Sequence, residues 1–116
     1  MSLFILHSKE HPISNSLEDK LNQALLYVFN EEGITDSSIN LKILNDSDMK
    51  ELNKKFRNKD GTTNVLSFTN DDISKSMTRN LGDIAISYDF VKRESEELKK
   101  NFDDHMIHML IHGVYH

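Results

Sequence analysis

Residues 104–116 read Asp104-His105-Met106-Ile107-His108-Met109-Leu110-Ile111-His112-Gly113-Val114-Tyr115-His116 and hold four of the chain's six histidines. At about 100° per residue, a helix through this stretch gathers His105, His108, His112 and His116 within an arc of roughly 80°. Met106, Ile107, Leu110, Ile111 and Val114 fall on the opposite side. The segment therefore has an apolar face and an imidazole face, and is predicted to lie on the domain as its last helix. His112 and His116 are four apart, so their Cβ atoms stand about 5–6 Å from each other. Two ring nitrogens at that spacing converge on one divalent cation at about 2.0–2.1 Å each. His108 and His112 compete as a pair, whereas His108 and His116 are about 12 Å apart along the axis, too far for one ion to take all three from a straight helix. The same residues also fit a solvated or half-buried face that holds no metal. If a metal is held, neutral imidazole makes zinc the first expectation, with nickel, copper and cobalt compatible with the same ligands.

Upstream of this helix, residues 87–100 are charged with few apolar anchors and read as a surface helix. Leu81 to Ser87, with Gly82-Asp83 at its start, reads as a strand, as does the short apolar run Asn64-Val65-Leu66-Ser67-Phe68. Between them Thr69 to Asn80 is polar and aperiodic, a mobile connection. Asp46 and Ser47 are predicted to cap a helix carrying Met49, Leu52 and Phe56. That helix brings Arg57 to its end, before a turn at Asp60-Gly61. Ile39, Leu41 and Ile43 alternate with polar residues, a strand with one buried face. Asn15 and Glu18 resemble a capping box, and Leu17, Leu21, Ala24, Leu25 and Val28 follow at helical spacing up to Gly33. The first residues read as a strand. The order β-α-β-α-β-β-α-α describes an α+β domain, a small mixed sheet of about four strands packed by helices, with the last helix on the sheet.

A chain of 116 residues is read as one domain with an ordinary core. It has no cysteine, which excludes a disulfide framework and thiolate zinc sites and fits a reducing cytoplasm. The N-terminal Met-Ser-Leu-Phe-Ile-Leu-His lacks a basic n-region, and its apolar run is too short to span a bilayer, so no membrane partner is expected. A formal net charge of -5 argues against nonspecific nucleic-acid binding by the molecule as a whole. Positive charge is nonetheless concentrated between Lys50 and Asp60. There Lys50, Lys54, Lys55, Arg57 and Lys59 face only Glu51 and Asp60, a solvated helix face or an anion-binding one.

Three stretches together resemble the YbeY family, metallo-endoribonucleases of bacteria that cut single-stranded RNA in ribosomal RNA maturation. The first is Leu52-Asn53 through Phe56-Arg57-Asn58-Lys59-Asp60 into Thr63-Asn64-Val65-Leu66-Ser67-Phe68. The second is Leu81-Gly82-Asp83-Ile84-Ala85-Ile86-Ser87, and the third is His108 through His116. The family motif is H-G-x-x-H followed six residues later by a third histidine that completes a zinc site. His112-Gly113-Val114-Tyr115-His116 supplies the first two ligands, and the third is absent. The helix meets the end of the chain without a capping glycine, so the expectation is a form cut short after the second ligand. Such a form would bind zinc weakly and cleave RNA poorly until extended to restore a third histidine. Milder departures are Thr62 and Thr69, where the family favours proline, and Asn64, where aspartate is common.

The resemblance implies a three-histidine zinc site with one open position, where the pKa of a water falls toward 7 beside the scissile phosphodiester. It also implies that Arg57 holds the phosphate and stabilises charge developing there, with Lys59 beside it for substrate binding. Ser67 and Asp83 match family positions without a chemical role assigned to them. The partners so implied are single-stranded RNA, ribosomal RNA foremost, and the small ribosomal subunit or its associated proteins. Two rivals stand beside this reading. A zinc peptidase of the H-E-x-x-H type needs a glutamate directly after the first histidine, where this chain has Gly113. A noncatalytic chain would use the basic segment to bind RNA or a ribosomal partner without cutting.

Overall fold

The structure, a computed structural model, describes residues 2–7, 13–33, 38–68 and 80–115, with the backbone alone at 2–4, 6, 7, 68, 80 and 81. The elements are strand β1 (Ser2–His7), helix α1 (Asn15–Glu31), strand β2 (Ser38–Leu44), helix α2 (Asp46–Arg57), strands β3 (Val65–Phe68) and β4 (Asn80–Ser87), and helices α3 (Tyr88–Glu97) and α4 (Phe102–Val114). This is the α+β element order expected from periodicity. The expected mobile connection over Thr69 to Asn80 lies, through residue 79, outside the described residues.

The strands form one sheet in the order β1-β2-β4-β3. β1 and β2 pair in parallel, β2 and β4 likewise, and β3 runs antiparallel to β4 at the edge. Ile39, Leu41 and Ile43 are buried on one face as their alternation requires. They join Ile84 and Ile86 of β4, the Leu17, Leu21, Leu25, Val28 and Phe29 stripe of α1, Val91 of α3, and Met106, Met109 and Leu110 of α4. The opposite face carries a smaller cluster of Met49, Leu66 and Ala85 beneath α2. The last helix thus lies on the sheet, across it from α2. Near the start of β4 the register steps from Ser38↔Asn80 to Ile39↔Gly82, and Gly82 has φ 149, a conformation that favours glycine at a bulge. Among the described residues no helix is long and apolar enough to cross a membrane.

Both helix caps fall one residue before the expected positions. Ser14, not Asn15, caps α1 by accepting from the Leu17 N–H at 3.0 Å. Asn45, not Asp46, caps α2 by accepting from the Asp48 N–H at 2.8 Å. The Asp46 carboxylate is drawn elsewhere. It accepts from the buried Ser87 hydroxyl at 2.7 Å and meets the Arg93 guanidinium at 2.8 Å. Ser87 in turn caps α3 by accepting from the Phe90 N–H, so one carboxylate ties the starts of α2 and α3 together.

Partial burial pushes the Asp46 carboxyl up, but hydrogen bonds from Arg93 and Ser87 and the Arg93 charge outweigh it and hold the group below its ordinary 3.8. A depressed folded pKa contributes stability that is present above the unfolded value and lost as pH falls through the folded one. In urea unfolding from neutral pH down to about 2, the wild-type advantage over Asp46→Asn is therefore expected to shrink once pH drops below 3.8. An advantage that stayed constant down that range would refute the assignment.

Candidate active site

At the edge of the sheet, α2 and α4 end on either side of β3. Arg57, Val65, Leu66, Ser67 and His112 line a cleft there of about 250 Å³. Each wall follows from local chemistry. Asn58 adopts the left-handed conformation, φ 54, that ends α2, one that asparagine tolerates better than most residues. The buried Asn53 donates its side-chain N–H to the Gly61 carbonyl at 3.0 Å, holding the loop that carries Lys59 against the helix. Lys54, Lys55 and Arg57 occupy the last turn, where cations complement the negative end of the helix dipole. Arg57 Nη2 then donates to the Ser67 carbonyl at 2.7 Å, and Nη1 makes a longer contact, 3.4 Å, to the Phe56 carbonyl. The guanidinium is thereby oriented along the exposed rim of the edge strand.

Ser67 reaches the other wall as well. Its hydroxyl donates to the Gly113 carbonyl at 2.7 Å, a side-chain partner for one of the last carbonyls of α4. The helix comes this close because residue 113 has no side chain. A Cβ there would stand 3.1 Å from Ile84 Cγ2, 3.2 Å from Val65 Cγ2 and 3.3 Å from Ser67 Oγ. The glycine that argued against a peptidase is thus also what seats α4 on β3 and β4, and it sets the neighbouring His112 at the cleft.

The four imidazoles do not share one environment. His105 is only 3% exposed, and its Nε2 lies 2.7 Å from Glu94 Oε1. With an ionised carboxylate as acceptor, the ring nitrogen is the donor. Glu94 also accepts from Asn64 Nδ2 at 3.3 Å, so His105 joins α4 to α3 and to the approach to β3. Helical spacing alone had placed it with the other histidines, but the neighbouring α3 covers it. His108 is exposed and does not line the cleft. His112 is exposed at the cleft, and the expected second ligand, His116, lies outside the described residues.

Among the described residues no group of three or more histidine, cysteine, aspartate or glutamate side chains is placed to hold a metal. His112 fits zinc as a single donor, by ligand type and by its place on a solvent-open cleft. Asp83 is not at the cleft. Its carboxylate accepts from Asn40 Nδ2 at 3.1 Å, across from β2.

Sequence reading left Ser67 and Asn53 without a role, yet they position the rim. Period-two alternation did carry a signal for Ser67. It shares a strand face with Val65, so a hydroxyl there points to whatever packs on that face. Glu94 stands three residues from Val91 and one from Ser95, the buried positions of α3. That spacing marks it as facing inward.

The chain is similar to known proteins over nearly its whole length. The family model described as Endoribonuclease YbeY matches residues 4–116. The Endoribonuclease YbeY of Francisella philomiragia subsp. philomiragia is 33% identical over 120 residues, covering 100% of this chain and 75% of that protein. That of Francisella tularensis subsp. tularensis is 34% identical over 123 residues, covering 100% of this chain and 70% of its own length. The solution structure of TM1509 from Thermotoga maritima matches with a TM-score of 0.68 at 26% identity, over 98% of this chain and 70% of that one.

Proposed function

The chain belongs to the YbeY family of endoribonucleases, and from that premise we propose that it is a zinc-dependent hydrolase that cuts single-stranded RNA. Ribosomal RNA in the cytoplasm is the proposed substrate, in maturation and quality control of the ribosome, with the small subunit or its associated proteins as partners. The observation that carries this reading is the cleft itself. It brings a guanidinium and an imidazole to opposite sides of one edge strand, with Ser67 bonded to both walls.

His112 and His116 are the residues proposed to hold the ion. When bound, zinc supplies Lewis acidity and lowers the pKa of water at its open position toward 7. Arg57 binds the scissile phosphate and stabilises the charge that builds on its oxygens, a task suited to a rigid fork of donors. Lys59, on the loop just past α2, binds a neighbouring phosphate as a point charge. Ser67 keeps the guanidinium aimed along the rim and α4 docked beside it.

The test is cleavage of a labelled single-stranded RNA and its duplex form, with and without chelator and after zinc is restored, alongside calorimetric zinc titration. Chelator-sensitive cutting confined to the single strand is expected, weak in this chain and strong once a third histidine is restored past His116. In a form extended past His116 to restore a third histidine, Arg57→Ala is expected to lower that cutting about a hundredfold with zinc content unchanged. Zinc lost along with activity would make Arg57 a structural residue. RNA binding without any products would instead favour the noncatalytic alternative, in which the basic segment between Lys50 and Asp60 binds RNA or a ribosomal partner without cutting.

A further inference from the structure

Met49, Leu52 and Phe56 form one stripe along α2, with spacings of three and four that put them on the same helical face. In an ordinary amphipathic helix all three would enter the core. Met49 is fully buried and Leu52 packs against the same cluster, but Phe56 remains 49% exposed. β3 is the edge of the sheet, and the last turn of α2 extends to that edge, where Arg57 meets the Ser67 carbonyl. The half-exposed end of the apolar stripe stands next in the chain to Arg57, which lines the cleft.

A cation lies against the ring, and the segment around it is basic. The Lys55 ammonium sits 5.4 Å from the Phe56 ring centroid, within the range of a cation–π contact. Arg57 follows directly in the chain, and Lys54 and Lys59 flank them. A half-exposed aromatic ring set among cations is the combination by which proteins hold single-stranded nucleic acid. The cations track the phosphates, and bases stack on the ring whatever their sequence. Arg57 Nη1 lies 3.4 Å from the Phe56 carbonyl, so a phosphate held on Arg57 is within one nucleotide's reach of Phe56.

Resting on the nuclease reading above, we propose that Phe56 is a base-stacking platform that seats one nucleotide of single-stranded RNA next to the phosphate held by Arg57. A paired base is already stacked in its duplex and cannot lie on the ring, so Phe56 is a determinant of single-strand preference. Lys55 moves from the ring to a phosphate as the base arrives.

The chain has no tryptophan, so Phe56→Trp introduces the only one and makes it a reporter. With chelator present to prevent cutting, this variant is titrated with a short oligoadenylate and with an abasic ribose-phosphate oligomer of equal length and charge. Quenching of indole fluorescence by the oligoadenylate alone is expected. Phe56→Ala is expected to weaken oligoadenylate binding about tenfold while leaving abasic binding unchanged. Equal quenching by both oligomers, or unchanged oligoadenylate affinity in Phe56→Ala, would overturn the stacking role while leaving the nuclease reading intact. A wild-type chain that neither binds nor cuts RNA would overturn both.

Discussion

In a form extended past His116 to supply a third histidine, His112→Ala is expected to abolish zinc binding and to lower RNA cleavage on the order of a thousandfold, since metal activation supplies several kcal/mol of transition-state stabilisation. The fold should hardly notice. His112 is exposed in the last turn of α4, where the loss of an imidazole costs about 1 kcal/mol at most through the helix dipole. Loss of function without loss of stability is therefore the signature to look for, with calorimetric zinc titration and urea unfolding on the same preparation. His108→Ala is the control. It is exposed on the same helix and outside the cleft, so zinc content and cleavage should remain. If His108→Ala loses zinc while the chain still needs His112, the ion is held by the 108–112 pair, and the assignment to His116 fails.

Gly113→Glu should have the opposite signature, a collapse of stability. This change writes the metallopeptidase pattern H-E-x-x-H into the chain, yet the structure has no room for it. Even a methyl group would crowd two β-branched side chains and a hydroxyl at 3.1–3.3 Å. For alanine the gain in helix propensity, about 1 kcal/mol, partly offsets an overpacking cost of about 1–3 kcal/mol. Glutamate adds length and a charge driven against Ile84 and Val65, and a cost of more than about 3 kcal/mol is expected. The midpoint of urea unfolding should fall accordingly, or the protein should fail to accumulate folded. A Gly113→Glu variant as stable as the wild type would show that α4 does not approach the sheet this closely.

Several features were legible locally because they depend on neighbours within a few residues. Alternation at Ile39, Leu41 and Ile43 identified the buried face of β2, and the spacing of Leu17, Leu21, Leu25 and Val28 identified the buried stripe of α1. The caps were displaced by one residue. Ser14 and Asn15, or Asn45 and Asp46, are chemically equivalent candidates, and the choice at α2 depends on Arg93 and Ser87, more than forty residues away. Phe56 read as core by its spacing. It is 49% exposed, which depends on what the last turn of α2 packs against and is not recorded in the helix's own sequence.

The sequence by itself determined the order of elements, the α+β class, the placement of Arg57 at the end of a basic helix, and the seating of the H-G-x-x-H helix on the sheet. These follow from periodicity, turn chemistry and the three motifs of the YbeY family. Only the tertiary structure decided that the strands are ordered β1-β2-β4-β3, that His105 is buried against Glu94, and that Arg57, Ser67 and His112 share one cleft. Period-two patterning states which face of a strand is buried but not which strand lies beside it. That is settled by nonlocal pairing. With β3 at the edge, α2 and α4 on opposite faces end at the same rim, and residues 55 positions apart, 57 to 112, meet there.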